Sequence, residues 1–448
     1  MQIPGKFLDS LIGVKGFNKE SFEKVHATGE QVTSIRINSS KLSIADCQLP
    51  IEHKIPWTEF GYYLKERPSF TFDPLFHSGC YYVQEASSMF LEQALKQTVD
   101  LSKPLKVLDL CAAPGGKSTH IQSLISNDSL LVSNDVIRSR ANILKDNIIK
   151  WGCENVVVTN NDPKDFARLE NYFDVIVVDA PCSGSGLFRK DADAVNEWSE
   201  KNVQLCSQRQ QRILADVWPV LKKDGILIYS TCSYSKEEDE VIMKWINDNF
   251  STDKCSLDIE NFPDIIESDG GYRFWPDKIK GEGFFLTCFQ KKDGDNGATQ
   301  KNKFRLEFTN KKESEIVSEW IKVEGMSFIK HKNTVYAWPV HHVTDFCFLL
   351  DTLRVIYSGT LTGELMRDKL VPAHSLAVSK LVSDKIKRTE LNYDQSIQYL
   401  QRKELNIATG DTGWQIVTYQ GNSLGWVNVL TNRINNYYPK ELRIIKDI

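Results

Sequence analysis

The alternation of apolar and polar positions is most regular in the middle of the chain, between residues 105 and 235. Short apolar runs there alternate with amphipathic stretches, beginning with "LKVLDLCAAPGGKSTHIQSLI" and "SLLVSNDVIRSRANILKDNIIKWG". Three more apolar runs follow in "ENVVVTNND", "FDVIVVDAPCSGSG" and "GILIYSTCSYS". Strands that are apolar throughout and alternate with helices are typical of a parallel sheet covered on both faces. The pattern therefore predicts a doubly wound α/β domain.

The flanking regions have different patterns. Residues 1–95 predict a mixed region with a helical opening and a strand in "QVTSIRINSSKLS". The polar segment Lys291–Lys303 contains glycine and has no apolar period, so it predicts a domain boundary. Beyond it, "ESEIVSEWIKVEG" favours a helix, "NTVYAWPV" favours a strand, and the end of the chain favours two or three short strands around the turn Gln420–Leu424. We therefore predict four regions, at 1–95, 96–292, 293–385 and 386–448.

Composition narrows the class of protein. A chain of 448 residues with 41% hydrophobic and 25% charged residues is ordinary for a soluble protein of several domains. It opens with neither a signal-peptide core nor an Arg-rich transit segment, and no run reaches about 18 apolar residues, so we predict a cytoplasmic protein. The net charge of −4 is uneven, because the chain is acidic up to residue 290 and mildly basic beyond it, a weak indication of a nucleic-acid partner. Ten cysteines never occur as Cys-x-x-Cys, which argues against a zinc ribbon or a disulfide scaffold, and we predict no metal site.

The segment "LDLCAAPGGKS" predicts a ligand-binding turn after the first strand of this sheet. It is not a nucleoside triphosphate loop, because Cys111 stands where that loop needs a glycine, and the dinucleotide spacing of glycines is absent as well. Small residues after Asp109 let the backbone approach a ligand closely, and Asp135 and Asp162 follow the next two strands, where a ribose and a base edge would lie. A zwitterionic sulfonium nucleotide suits such a turn better than NAD or ATP. The alternative is an ordinary turn with surface acids.

Two cysteines follow consecutive strands later in the same region. Cys182 follows the fourth strand and Cys232 follows the fifth. If those strands are parallel neighbours, both thiols emerge at one edge of the sheet beside Asp179. Methylation of carbon 5 of cytosine needs this chemistry, because a thiolate must first add to carbon 6 and a base must later remove the carbon 5 proton. The alternative for each cysteine alone is a buried apolar spacer.

Several segments resemble a known family. "DLCAAPGGKSTHI", "VVDAPCSGSGLFRKD" and "YSTCSYSKEEDE", with "YYVQEASSM" and "GEGFF", closely resemble the signature segments of the Sun/Fmu (NSUN-type) RNA cytosine-5 methyltransferases, which use S-adenosylmethionine. The likeness covers residues 80 to 290. The terminal "GWQIVTYQGNSLGWVNVLTNRINNYYPKELR" resembles the PUA-like end of the RsmF branch, whose members modify 16S rRNA. The resemblance implies a Rossmann-like S-adenosylmethionine-dependent methyltransferase sheet, an N-terminal α+β RNA-docking region and a C-terminal α+β, PUA-like extension.

The resemblance also implies roles for individual residues. Cys232 becomes the nucleophile, Cys182 assists product release, Asp179 faces both the cytosine ring and the cofactor, and Lys190 orients the pocket. The implied cofactor residues are Cys111, Ala112, Ala113, Pro114, Gly115, Gly116, Lys117, Asp135, Asp162 and Asp179. The sequence departs from the family pattern twice, with Asp135 where many members have glutamate and Asp277 where a histidine commonly follows the proline.

The regions around the predicted pocket contain the residues that we expect to contact RNA. A base in structured RNA must be flipped out to reach Cys232, and basic and aromatic surface would hold the flanking strand. Candidate contacts are Arg36, Arg189, Arg433, Lys440 and Arg443, with Trp414, Trp426, Tyr437 and Tyr438 near the last three. The expected partner is 16S rRNA or the small ribosomal subunit, bound by a monomer. The open alternatives are a tRNA substrate, the same chemistry on DNA with Cys182 as nucleophile, and a non-catalytic ribosome-assembly factor that binds RNA.

Overall fold

The structure is a computed structural model that describes residues 3–294, 306–407 and 410–446. Most of the predicted linker, from residue 295 to 303, therefore lies outside the described residues. Within the described ranges, no helix combines the length and the apolar character that a bilayer crossing requires.

The N-terminal region combines a small antiparallel sheet with short helices, of which the first two pack against the central region through residues such as Phe7 and Phe22. Asn18 begins the second helix by accepting a hydrogen bond from the Ser21 backbone N–H (3.0 Å). The strands are ordered β2-β3-β1-β4, and all four residues of β1 are buried. The elements are α1 (Gly5–Ser10), α2 (Lys19–Ala27), β1 (Ser34–Ile37), β2 (Ile51–Lys54), β3 (Gly61–Leu64), α3 (Pro74–His77) and β4 (Tyr81–Val83).

The central region is the predicted doubly wound sheet. Its strands run β7-β6-β5-β8-β9, all parallel, and continue through β13, β12 and β11 in antiparallel pairing, while β10 pairs with β13. The elements are α4 (Leu91–Thr98), β5 (Lys106–Asp109), α5 (Gly116–Leu124), β6 (Leu130–Asn134), α6 (Arg138–Trp151), β7 (Val156–Thr159), β8 (Phe173–Asp179), α7 (Ala192–Glu197), α8 (Glu200–Val217), β9 (Leu221–Thr231), α9 (Glu240–Asn249), β10 (Thr252–Lys254), β11 (Ile266–Ser268), β12 (Gly271–Phe274) and β13 (Phe284–Lys291). The prediction of a parallel sheet is confirmed.

Both faces of this sheet are covered, which explains why its strands are apolar throughout. One face packs against α4, α5 and α6 through residues such as Leu91, Ile121 and Leu144. The other packs against α8 and α9 through residues such as Ile213 and Ile242. Every residue of β6 and of β7 is buried, so a polar side chain within either strand would have to be desolvated on both sides.

The C-terminal part contains two further sheets, ordered β14-β15-β16-β18-β19 and β20-β21-β22-β23. The elements are β14 (Glu307–Phe308), α10 (Lys311–Ser318), β15 (Met326–His331), β16 (Thr334–Pro339), α11 (Val343–Thr352), β17 (Val355–Ser358), β18 (Thr360–Met366), β19 (Lys369–Pro372), α12 (His374–Val378), β20 (Arg388–Glu390), α13 (Tyr393–Leu400), β21 (Gly413–Tyr419), β22 (Asn422–Val429) and β23 (Ile434–Asn436). The predicted terminal strands are confirmed. Their hairpin turns at Gln420 and Gly421, both with positive φ (49° and 73°), as a two-residue primed turn requires.

One strand from the third predicted region belongs physically to the central sheet. β17 pairs antiparallel with β7, and Phe346 and Leu349 of α11 lie in the core beneath the sheet. Backbone hydrogen bonds from Asn160 and Gly359 extend this pairing at its two ends. Because β7 would otherwise be an exposed edge strand, β17 satisfies its free backbone groups. The polar segment is therefore not a clean structural boundary.

Candidate active site

The carboxyl ends of the parallel strands surround a cavity of about 690 Å³. Register explains why they meet there, because Asp109 pairs with Val177 and Asp179 pairs with Ser230. Six of the residues singled out in the sequence line the cavity, namely Cys111, Ala113, Asp135, Asp179, Cys182 and Cys232. Its volume is within the range of sites for drug-sized ligands and cofactors, roughly 300–1,000 Å³.

The turn between β5 and α5 forms one wall of the cavity, and two side chains of α6 hold it in place. Gly115 has φ of 114° immediately before α5, a conformation that favours glycine. From α6, Arg140 donates to the Ala113 carbonyl and Asn147 donates to the Pro114 carbonyl, each at 2.8 Å. These contacts fix the path of the backbone, so the turn is preorganised for a ligand.

Asp109 lies at the base of this turn and is fully buried. One of its carboxylate oxygens accepts a hydrogen bond from the Ser118 hydroxyl (2.6 Å), and the other has no partner within the described residues. Burial raises the pKa of Asp109 to about 7. Burial also raises the pKa of Cys111 well above its usual value, which favours the protonated thiol over the nucleophilic thiolate.

Two of the three predicted cofactor acids, Asp135 and Asp162, occupy different positions. Asp135 follows β6, lines the cavity, and accepts a hydrogen bond from the Ile137 backbone N–H (2.8 Å). Asp162 instead caps the 3₁₀ helix Pro163–Leu169 and lies 3.5 Å from Arg212. Asp162 therefore lies behind the wall of the cavity, next to the lining residue Pro163, and is not itself a lining residue.

The two thiols meet at the edge of the sheet, as predicted. β8 and β9 are parallel neighbours, and Cys182 Sγ lies 3.0 Å from Cys232 Sγ, close enough for one thiol to donate a hydrogen bond to the other. Neither cysteine is in a disulfide. The hydrogen bond to Cys232 and burial raise the pKa of Cys182 well above its usual value. Cys182 therefore holds its proton tightly, whereas the Cys232 thiol has Cys182 as its one hydrogen-bond partner among the described residues.

Glu238 was missed by the sequence analysis, although it holds both thiol loops. Its fully buried carboxylate accepts hydrogen bonds from the Ser183 N–H (2.7 Å), the Ser183 hydroxyl (2.5 Å) and the Ser233 hydroxyl (2.6 Å). Ser183 and Ser233 directly follow Cys182 and Cys232 in the sequence. One buried carboxylate thus links the two loops. The only sequence signal is the serine that follows each cysteine.

Lys117 forms an ion pair with Asp179, one of the predicted catalytic residues. Its ammonium lies 2.7 Å from Asp179 Oδ2 and over the Phe284 ring, 5.2 Å from its centroid. The other Asp179 oxygen accepts a hydrogen bond from the Ser230 hydroxyl (2.9 Å). Lys117 and Asp179 therefore form a fixed ion pair, whose carboxylate lines the same cavity as the two thiols.

Lys190 and Arg189 lie around a buried glutamate. Lys190 is 4.0 Å and Arg189 is 3.7 Å from Glu282, and burial raises the pKa of Glu282 to about 7. Arg189 also donates to the carbonyls of Glu30 (2.6 Å) and Gly281 (3.2 Å), and only 5% of its side chain is exposed. Arg189 is therefore a clamp between segments of the fold, and its prediction as a surface RNA contact is wrong in this structure.

The prediction that Arg36 contacts RNA is also wrong. The residue is 1% exposed, and its guanidinium donates to Gln84, Thr119 and Ser123 while it stacks on Trp151 at 4.5 Å. It ties β1 to α5. Asp277, which departs from the family pattern, accepts a hydrogen bond from the Ser21 hydroxyl (2.6 Å) and so joins its loop to α2.

The candidates near the C-terminus lie away from the cavity. Arg433, Lys440 and Arg443 are exposed. Of the aromatic residues near them, Trp426 and Tyr438 are core residues, whereas Tyr437 is 40% exposed and packs against Trp414 at 4.4 Å.

The comparisons with known proteins agree with this geometry. Three family models match successive parts of the chain: the N-terminal domain of 16S rRNA methyltransferase RsmF (residues 3–86), 16S rRNA methyltransferase RsmB/F (96–290) and the methyltransferase RsmF PUA domain (386–444). A solved methyltransferase homolog from Pyrococcus horikoshii is 26% identical, covering 64% of this chain and all of its own, with a TM-score of 0.52. NSun6 from the same organism, solved with the S-adenosylmethionine analogue SFG, shares the fold at 19% identity and a TM-score of 0.54, covering 65% and 99% of the two chains. Fold and site together define an S-adenosylmethionine-dependent RNA methyltransferase.

Full-length relatives identify the branch. The ribosomal RNA small subunit methyltransferase F of Aeromonas salmonicida is 30% identical over 91% of this chain and 90% of its own length. The protein of the same name from Psychromonas ingrahamii is 29% identical over 98% and 97%. The chain belongs to the RsmF family of ribosomal RNA small subunit methyltransferases.

The residues of the cavity fit the cofactor of this class. The cavity combines the buried Asp135 carboxylate, which can accept ribose hydroxyls, with the small side chain of Ala113 at the turn. The lining has two carboxylates, Asp135 and Asp179, which suit a sulfonium and an ammonium group, and three arginines, which suit the carboxylate of the same ligand (Arg140, Arg209 and Arg212). S-adenosylmethionine therefore matches both the shape and the charge of the site.

Proposed function

We propose that this protein methylates carbon 5 of a cytosine in RNA, in 16S rRNA of the small ribosomal subunit, with S-adenosylmethionine as methyl donor. The observation that carries the proposal is the pair of thiols, 3.0 Å apart at the cofactor edge of the sheet. The names of the full-length relatives favour rRNA over tRNA. A single chain supplies both thiols, the carboxylates and the lysine, so a monomer acting in the cytoplasm, where the subunit is assembled, is sufficient.

Lys117 and Asp179 are suited to read the cytosine. The exocyclic amino group of cytosine is a donor, and the adjacent ring nitrogen and carbonyl are acceptors. The Asp179 carboxylate can accept from the amino group while the Lys117 ammonium donates to N3 or O2. A hydrogen bond to N3 also draws electron density from the ring and makes carbon 6 more electrophilic.

Cys232 is the nucleophile in this proposal. Its thiolate adds to carbon 6, forming a C–S bond and leaving electron density on carbon 5. Cys182 keeps its proton at this stage, because its pKa is raised by the hydrogen bond to Cys232 and by burial. The protonated Cys182 stabilises the Cys232 thiolate by donating a hydrogen bond to it. When bound, S-adenosylmethionine would supply an electrophilic methyl group to carbon 5, and its sulfonium–methyl bond would break to leave a neutral thioether.

Cys182 then becomes the base. Once Cys232 is bonded to carbon 6 it carries no negative charge, so a main cause of the raised pKa of Cys182 is gone. Cys182 releases its proton to water and its thiolate takes the proton of carbon 5. The electrons of that C–H bond restore the double bond between carbons 5 and 6, and the C–S bond breaks to return a thiolate to Cys232.

Separate substitution of the cysteines tests these roles. With RNA and S-adenosylmethionine, Cys182→Ala should accumulate a covalent protein–RNA adduct on denaturing gels, whereas Cys232→Ala should form none and transfer no methyl groups. Cys255→Ala, a partly exposed cysteine outside the cavity lining, is the matched control and should behave as wild type. Adduct that accumulates in Cys232→Ala instead would reverse the roles, as the DNA-type alternative requires.

The substrate is tested in cells. Bisulfite sequencing of 16S rRNA and tRNA from wild-type and deletion strains should show one 5-methylcytosine lost from 16S rRNA. Loss confined to tRNA would overturn the rRNA assignment, and no loss in either RNA would favour the non-catalytic assembly factor.

A further inference from the structure

A second cavity, of about 290 Å³, lies where three parts of the chain meet. The N-terminal region contributes Lys41 from the turn after β1, the loop after α12 contributes Lys380, and the terminal sheet contributes Arg388 of β20. Lys322 also lines it, together with Asn422 and Ser423 of the β21–β22 hairpin. No carboxylate is among the described residues that line this junction cavity.

The charges of the junction cavity are mostly uncompensated. Within the described chain, Lys380 and Arg388 have no carboxylate within ion-pair distance, and Arg388 makes its side-chain hydrogen bond to the Ser423 hydroxyl at 3.3 Å. The nearby acids do not line the cavity themselves, although the Glu390 carboxylate accepts a hydrogen bond from the N–H of the lining residue Gly421 (3.3 Å). Asp384 lies 3.2 Å from Lys322 at the exposed rim, and Glu390 accepts a hydrogen bond from the Thr418 hydroxyl (2.6 Å).

Lys41 forms the buried floor. Its ammonium donates to the carbonyls of Ser78, Lys150 and Val378 at 2.6 to 2.9 Å, which places a cation at the C-terminal end of α6. Burial, together with the positive charges of Lys380 and Lys150, lowers the pKa of Lys41 to about 8. A cluster of like charges with few counterions is an electrostatic cost that a bound anion would relieve.

We propose that the junction cavity is a second RNA-binding site, which holds a backbone phosphate of the substrate at a distance from the target cytosine. The inference rests on the proposed function in that the bound anion belongs to RNA. Arg388 supplies a forked guanidinium and Lys380 a mobile ammonium, the two side chains that most often contact phosphate.

α6 connects the junction cavity to the active site. Arg140 near its start lines the catalytic cavity, and the carbonyl of Gly152, just past its end, accepts a hydrogen bond from the Lys380 N–H (3.3 Å). Twelve residues of helix at about 1.5 Å each separate the two ends by roughly 18 Å. An RNA with its cytosine at Cys232 reaches the junction cavity only through flanking nucleotides or a neighbouring helix, so the site favours long, structured substrates over short oligonucleotides.

The test compares two double variants that each remove two positive charges. Lys380→Ala with Arg388→Ala acts on the junction cavity. Lys223→Ala with Lys312→Ala removes exposed lysines outside both cavities. The affinity for a 16S rRNA transcript is measured by filter binding between 50 and 300 mM salt, with an eight-nucleotide RNA as the short probe. Charge-preserving Lys380→Arg should bind as wild type.

We expect the junction variant to bind the transcript at least about fivefold more weakly at 0.15 M salt, with the slope of log affinity against log salt reduced by about 1, and the octamer to bind unchanged. Equal binding of the transcript by wild type and the junction variant would overturn the proposal, as would an equal loss in the lysine control. Binding is measured without methyl transfer, so failure of the proposed chemistry is distinguishable from failure of this site.

Discussion

Replacement of Glu238 by alanine tests how the two thiols are held. The substitution removes the acceptor of the Ser183 N–H, the Ser183 hydroxyl and the Ser233 hydroxyl in a fully buried place. The Ser183 N–H cannot turn to another acceptor, whereas the hydroxyls can. The loops that carry Cys182 and Cys232 would lose the carboxylate they share and keep weaker or more distant links, such as the hydrogen bond from the Gly186 N–H to the Cys232 carbonyl (2.8 Å).

The expected cost follows from these contacts. Each buried donor left without an acceptor costs about 1–3 kcal/mol. Removal of the buried charge offsets part of this, because burial raises the pKa of Glu238 and so marks its carboxylate as costly to desolvate. We expect a net loss of about 3 kcal/mol for Glu238→Ala. Glu238→Gln keeps the acceptor for Ser183 N–H and can donate to a hydroxyl, so its loss should be about 1 kcal/mol.

Two measurements distinguish a role of Glu238 in positioning the two thiols from a role in the stability of the core alone. Urea unfolding gives the stability, and denaturing gels give the fraction of enzyme trapped as covalent adduct during turnover. Glu238→Ala should accumulate adduct as Cys182→Ala does, because release depends on the spacing of the two sulfurs, and Glu238→Gln should restore release.

A matched control is available in Glu92, another buried carboxylate with several donors but outside the catalytic cavity. Glu92→Ala should lose comparable stability without adduct. A Glu238→Ala enzyme that is destabilised but shows no more adduct than Glu92→Ala would refute the positioning role.

Two further predictions concern buried charges. Because burial raises the pKa of Glu282 to about 7, its ionisation opposes folding, so the stability of the wild type relative to Glu282→Gln should fall as pH rises from about 4.5 to about 7 and stay level above. Urea unfolding at pH 5 and pH 8 should show this as a change of at most about 3 kcal/mol, and a pH-independent difference would contradict it. Arg36→Met should lower the free energy of unfolding by about 1–3 kcal/mol, because the buried Gln84 side-chain oxygen loses its guanidinium donor, while Thr119 and Ser123 keep other hydrogen bonds. RNA affinity of the folded variant should be unchanged, and a loss of affinity at full stability would restore Arg36 as an RNA contact.

The central site was predictable because it depends on a general rule of parallel sheets. Apolar strands that alternate with helices place their carboxyl ends at one edge, so Cys182 and Cys232 had to converge once β8 and β9 were neighbours. The same rule brought Asp135 and Asp179 to the cavity. No knowledge of side-chain packing was needed for these positions.

Residues whose roles depend on distant partners were not predictable. Arg36 has the sequence context of a surface cation, and only the docking of β1 on α5 buries it. Glu238 lies in the acidic run "SKEEDE", which has the composition of a solvated surface, yet its partners include Ser183, more than fifty residues earlier. β17 has the length and composition of the other C-terminal strands, and nothing local indicates that it pairs with β7.

The pairing of β17 with β7 has a consequence during protein synthesis. β7 leaves the ribosome long before β17 is translated, so the nascent methyltransferase sheet has one row of free backbone N–H and C=O groups until residues 355–358 emerge. A fragment that stops at residue 292 would keep that row permanently and be prone to self-association. The sheet of the catalytic domain is therefore completed only once residues 355–358, well into the C-terminal part, have been made.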